Sequence, residues 1–332
     1  MHKSIFISML FVVLFIPTSS FNIVGDYINN GKTINPTFPP EKIDWSIYTH
    51  VHSGVPKVFI NGTATCDIND LITPRIVELA HKNGVKVQWG LNLDLNKYLW
   101  NTNNSTIKNN YLNSIGRAVN DCKIDGICVD YEGPFGGGLI VKLGIVAPKQ
   151  AKFYTEFLAD LKMALGPGKI VSADVSIWGI APGSWLLGFL PWVDPVMLNE
   201  GKIDFINTMS YHWNKDGNIA AWEKDIFFLT KIWKIDPKRV NLVIPYLSMN
   251  RTKNFKIYNE PIWQGLSRKC PNIDPNTNVC EDIVFVGKKM NEKIGALIKK
   301  HNLGGAFPWA ANYDSIQYNN SLIKWLNRGL NS

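Results

Sequence analysis

Eight times along this chain a short β-branched or aromatic run alternates with longer stretches, most of them helically spaced, and that alternation restricts the fold more than any other feature. The runs are Asn22–Tyr27, Ile47–His52, Val85–Leu91, Gly126–Tyr131, Lys169–Ile177, Phe205–Tyr211, Val240–Tyr246 and Gly305–Trp309. Amphipathic patterns lie at Thr73–Lys82, Asn109–Asn120, Lys149–Leu165, Ala220–Trp233 and Gly287–Lys300, with a closing helix expected over Ser315–Arg328. Parallel strands need a crossover connection, and a helix is the usual one, so this pattern predicts βα units around a parallel sheet. Eight of them fit an α/β fold, a single (β/α)8 TIM barrel. A doubly wound sheet is the alternative, but no G-x-G-x-x-G follows the first strand and no G-x-x-x-x-G-K-[ST] occurs anywhere. No internal repeat or low-complexity linker interrupts the pattern, so one domain is expected over residues 21–332.

Residues 1–20 are set apart. His2 and Lys3 precede an apolar stretch, Ile5 to Ile16, interrupted only by Ser8 and followed by Pro17, Thr18, Ser19 and Ser20. That is the layout of a secretory signal peptide, and the run is too short to span a bilayer. Five Asn-x-Ser/Thr sequons, at Asn61, Asn103, Asn104, Asn250 and Asn319, agree with export and glycosylation. The segment Trp185 to Leu198 is broken by Pro191, Asp194 and Pro195 and reads as an irregular piece or short helix rather than a span. The expected location is the secretory pathway, extracellular or lysosomal, without stable membrane insertion.

Five cysteines leave at least one unpaired within the chain. Cys270 and Cys280 flank a polar, Pro- and Asn-rich segment that a disulfide would pin; a Cys66–Cys122 bond stays open at this level. With 45% apolar and 19% charged residues the chain has ample core-forming material, which excludes general disorder. The net charge of +8 is spread without any run of five or six like charges, so a nucleic-acid partner is not expected.

The fourth predicted strand carries the chemistry. It reads Asp125-Gly126-Ile127-Cys128-Val129-Asp130-Tyr131-Glu132 and runs into Gly133-Pro134-Phe135-Gly136-Gly137-Gly138. Side chains alternate along a strand, so Cys128, Asp130 and Glu132 share one face and Ile127, Val129 and Tyr131 the other. With the apolar set against the helices, two carboxylates point into the barrel mouth, where catalytic residues of such barrels sit. Acidic residues are disfavoured in strands, and two on one face call for a function.

The run Asp125 to Glu132 resembles the D-G-x-D-x-D-x-E signature of family 18 glycoside hydrolases, the chitinases and their relatives. Phe21–Tyr27 resembles that family's first strand and Gly84-Val85-Lys86-Val87 its third. Met209-Ser210-Tyr211 is similar to its Met-x-Tyr on strand six, and Gly304-Gly305-Ala306-Phe307-Pro308-Trp309 to its strand eight. The compact length, and Ala80-His81-Lys82-Asn83-Gly84, look most like the di-N-acetylchitobiase branch.

The resemblance implies a glycosidase acting on β-1,4 bonds of N-acetylglucosamine oligosaccharides, either chitooligosaccharides or the chitobiose core of N-glycans, without cofactor or metal. Its route would be substrate-assisted and retaining. Glu132 would be the general acid and base, with Asp130 and Tyr211 holding the oxazolinium formed by the substrate acetamide. Trp309 would floor the sugar subsite, and Tyr246, Trp213 and Asn312 are weaker substrate-binding candidates, with Trp89 and Trp178 behind them. Cys128 stands where the family has its middle Asp, and His212 where it usually has an Asp after the Tyr. Cys128, His212 and Asp125 are therefore expected to modulate the site. A metal pair of Cys128 and His212 lacks ligand spacing. The rival reading is a non-catalytic chitin-binding lectin on the same barrel, and a third is a storage or structural protein. Oligomeric state is left open.

Overall fold

The computed structural model describes residues 21–28, 38–92, 105–131, 148–175, 194–209, 219–250 and 263–332. Eight parallel strands close a barrel in sequence order: β1 (Asn22–Asp26), β2 (His50–His52), β3 (Lys86–Asn92), β4 (Gly126–Tyr131), β5 (Ile170–Val175), β6 (Phe205–Thr208), β7 (Val240–Pro245) and β8 (Gly305–Trp309). The seam is a parallel pairing of β1 with β8, Asn22 opposite Gly305 and Ile23 opposite Ala306. All eight expected strands are present, each within a few residues of its predicted bounds; the (β/α)8 expectation holds.

The described helices are α1 (Thr73–Lys82), α2 (Ser105–Asp121), α3 (Pro148–Leu165), α4 (Pro195–Asn199), α5 (Ile219–Phe227), α6 (Trp263–Lys269), α7 (Lys288–Lys300) and α8 (Leu322–Asn331). Asp70 starts α1 by accepting from the N–H groups of Ile72 and Thr73, both at 2.9 Å, with Pro74 in the first turn. The Trp185–Leu198 segment contributes the short α4, capped by Asp194, whose Oδ1 accepts from Val196 N at 2.8 Å. The helix expected over 220–233 is α5 followed by a π-helical turn, Phe228–Ile232.

Two apolar clusters follow from strand alternation. Outward residues such as Val129, Tyr131, Val171 and Ile244 pack with Tyr154, Phe157 and Ile298 in the layer between sheet and helices. A smaller cluster of Val24, Phe205, Met209, Val243 and Phe307 includes side chains from β1, β6, β7 and β8. The rest of the barrel contains polar side chains paired with one another. Gln88 donates to Ser172 Oγ at 2.9 Å, Asn241 Nδ2 to Asn207 Oδ1 at 3.0 Å, and Asn207 Nδ2 to Asp174 Oδ1 at 2.8 Å.

Two disulfides are formed, Cys66–Cys122 and Cys270–Cys280, and Cys128 is free and buried. The second is the expected bond; the first resolves the open pair. Among the described residues no helix is long and apolar enough to cross a membrane. Residues 1–20 lie outside the described part.

Candidate active site

The carboxyl ends of β1 to β5 and β8 surround a cavity of about 460 Å3 whose lining includes Asp26, His52, Cys128, Asp130, Asp174 and Trp309. The alternation on β4 is as the sequence requires. Cys128 and Asp130 line the cavity, while Tyr131 packs outward on Tyr154 of α3, ring centroids 5.2 Å apart. Asp130 Oδ2 accepts from Asn92 Nδ2 at 3.2 Å, across the β3–β4 pair in which the two residues are in register.

Cys128 is 1% exposed. Its thiol donates to Asp174 Oδ1 at 3.2 Å, and burial, then the Asp174 charge, pushes it well above the ordinary thiol range. It is thus a neutral group. Asp26 is raised to about 7, first by burial and then by the Asp174 carboxylate, against a hydrogen bond from Trp309. His52 is held down to about 3 by burial and by its neighbour His50, so it is a neutral imidazole.

Trp309, half-buried, lines the cavity and meets Tyr313 edge-on at 6.3 Å. Three other candidates are placed elsewhere. Asp125 precedes β4 and is at the opposite end of the barrel, about 16 Å along the strand from Asp130 at ~3.3 Å per residue. There it accepts from Val87 N and pairs with His81, both at 2.8 Å, and with Lys86 at 3.3 Å, tying α1 and β3 to β4. It is corrected from a modulator of the site to a clamp at the base. Tyr246 is 1% exposed, packs in the large apolar cluster and is not among the described residues lining the cavity. The Asn312 amide is used on backbone, accepting from Ile28 N at 3.2 Å and donating to Ile28 O at 2.8 Å, which fixes the end of β1. Neither lines the cavity among the described residues. Trp89 is 2% exposed and belongs to the same apolar cluster. Glu132, Trp178, Tyr211, His212 and Trp213 lie outside the described residues.

Sequence reasoning missed Asp26, His52, Asn92 and Asp174. The signal for Asp26 and Asp174 was the one that exposed Asp130, an acidic residue near the end of an apolar strand: Asn22-Ile23-Val24-Gly25-Asp26 and Val171-Ser172-Ala173-Asp174-Val175.

No family model matches the chain, and no curated protein matches it. Solved structures do. A chitinase from Bacteroides thetaiotaomicron matches with a TM-score of 0.70 at 17% identity, over 93% of this chain and 96% of that one. A family GH18 chitinase from Cycas revoluta in complex with allosamidin gives 0.72 at 14% identity, over 93% and 99%. Human YKL-39, described as a pseudo-chitinase with retained chitooligosaccharide binding, gives 0.68 at 15%, over 94% and 100%. Over nearly its whole length, then, the chain has the fold shared by these chitinases and by a relative of theirs that binds the sugar.

Proposed function

We propose that residues 21–332 form a glycoside hydrolase domain that cleaves β-1,4 bonds of N-acetylglucosamine oligosaccharides by the substrate-assisted, retaining route. The observation that carries this reading is that Asp130 and Trp309 line one carboxylate-rich cavity at the carboxyl end of a barrel with the chitinase fold. Glu132, on the face of β4 that alternation shares with Asp130, protonates the leaving oxygen and later activates water. The substrate's acetamide carbonyl attacks the anomeric carbon as an intramolecular nucleophile. The resulting positive oxazolinium is held by Asp130, oriented by Asn92, and by the Tyr211 hydroxyl. Trp309 offers an apolar face to a sugar ring, and Trp213 extends the groove. A narrower likeness to the chitobiase branch rests on sequence alone. A cleaved signal peptide over residues 1–20 and glycans on the sequons belong to the same reading.

The test is turnover of a chromogenic chitobioside. Glu132→Gln is expected to lower kcat by on the order of 10^2 to 10^4-fold while the protein stays folded. A folded wild type that turns over no N-acetylglucosamine oligomer refutes the enzyme. One observation favours the lectin: Cys128, where the resemblance expects a carboxylate, is a neutral thiol. Calorimetric binding of chitooligosaccharide without product is its signature. Products from chitotriose and from a defined N-glycopeptide, separated by mass, distinguish the two substrate classes.

A further inference from the structure

Hydrolysis leaves His52 and Cys128 without a role, and both are buried. His52 ends β2, Cys128 lies in the middle of β4 and Asp174 near the end of β5. A ring nitrogen of His52, Cys128 Sγ and an Asp174 carboxylate oxygen lie within 4.8 Å of one another. His52 is 4% exposed with Gln88 as its polar side-chain neighbour, and its buried Nε2 makes no well-formed hydrogen bond among the described residues. Leaving such a nitrogen unsatisfied is unfavourable, and a ligand there removes the penalty.

The surroundings are built for a bound group. Phe307 packs edge-on against the His52 ring, with centroids 4.9 Å apart, which restricts its orientation. The Asn241–Asn207 pair supports Asp174 from below, as outer groups orient the ligands of metal sites. Between β2 and β4, β3 presents Gly90, where an added Cβ would meet nothing nearer than Gly54 O at 3.8 Å. The three donors also line the open cavity, which supplies an entry path and room for a water ligand.

We infer that His52, Cys128 and Asp174 form a three-ligand site for one divalent transition-metal cation, with Zn2+ the best match. A mixed nitrogen, sulfur and oxygen set with an open fourth position suits a borderline-soft tetrahedral ion. Ca2+ and Mg2+ want six or more oxygens and do not fit. On binding, the Cys128 S–H bond breaks, its proton passes to water, and the cation bonds to thiolate, imidazole and carboxylate, whose two negative charges balance it. The inference goes beyond the proposed hydrolysis and does not depend on it.

The experiment titrates the EDTA-dialysed full chain with Co2+, without reductant, and then adds Zn2+. Cys66, Cys122, Cys270 and Cys280 are in disulfides, so a thiolate-to-cobalt charge-transfer band reports Cys128 alone. One Co2+ per chain with that band, bleached by Zn2+, is expected. Cys128→Ser is expected to lose the band, and Asn207→Ala to weaken binding on the order of 10 to 100-fold. Absence of the band in wild type overturns the site, as does equal Co2+ affinity in wild type and a folded His52→Ala variant. If His52→Ala does not fold, wild type alone decides: a Zn2+-dependent rise in Tm together with the cobalt band supports the site, and the lack of either refutes it. No saccharide enters the readout, so this outcome is separate from success or failure of the hydrolase reading.

Discussion

Asp26 shows how much one side chain can tie stability to pH. Its carboxyl is raised from 3.8 to about 7 by burial, then by Asp174. The folded state therefore holds the proton more tightly than the unfolded chain. The stability from this group is fully present below about pH 4 and is lost as pH rises through 7. A shift of three units corresponds to at most about 4 kcal/mol, reduced because the group borders an open cavity. Asp26→Asn keeps the neutral form at all pH values. In metal-free protein, urea denaturation at pH 4, 5.5 and 7 is expected to show a shallower loss of stability in the variant than in wild type. Equal slopes would remove Asp26 as the cause. Asp26, His52 and Asp174 went unread because a single polar residue ending a strand looks like any other until the barrel closes. Asp130 was legible only because Glu132 repeated the signal two residues on.

At the scale of elements, strands were more legible than helix ends. Alternation on β4 and the apolar run Leu242–Pro245 of β7 state their burial directly. The last helix was expected from Ser315 but α8 begins at Leu322. The reason is Asp314, fully buried, which accepts from Ser315 N and Leu322 N at 2.7 Å, Ile323 N at 3.2 Å and Ser321 Oγ at 2.8 Å. It caps the helix from eight residues away, so Ser321, the N-cap by position, spends its hydroxyl on the aspartate instead. No local pattern announces a cap across such a loop. Asp314→Ala leaves three amides and a hydroxyl without their acceptor and is expected to destabilise by about 3 kcal/mol or more, read by urea denaturation. A loss under about 0.5 kcal/mol would show that water replaces the carboxylate there.

For the whole molecule, the count and order of the strands were readable, and most of the site was not, since its parts come from six strands that chain distance keeps apart. The pair Cys128 and His212 was considered for a metal and set aside on spacing; the donors that gather are 76 and 46 residues from Cys128, beyond any spacing rule. Closure depends on the β1–β8 seam, where a Cβ on Gly305 would lie 1.8 Å from Asn22 O, so the Gly-Gly before strand eight is a requirement of the seam as well as a resemblance. The Cys66–Cys122 bond, whose ends are 56 positions apart in sequence, bears on how the distant donors meet. Through it the covalent route from His52 to Cys128 is 14 residues to the first half-cystine and six beyond the second, instead of 76 along the backbone. Loop-closure entropy scales with the logarithm of that route, so the shorter path lowers the cost of bringing the two side chains together by about 1 kcal/mol. In the oxidised unfolded chain β2 and β4 are thus joined by a path of about 20 residues, which leaves less entropy to lose when the barrel brings them together.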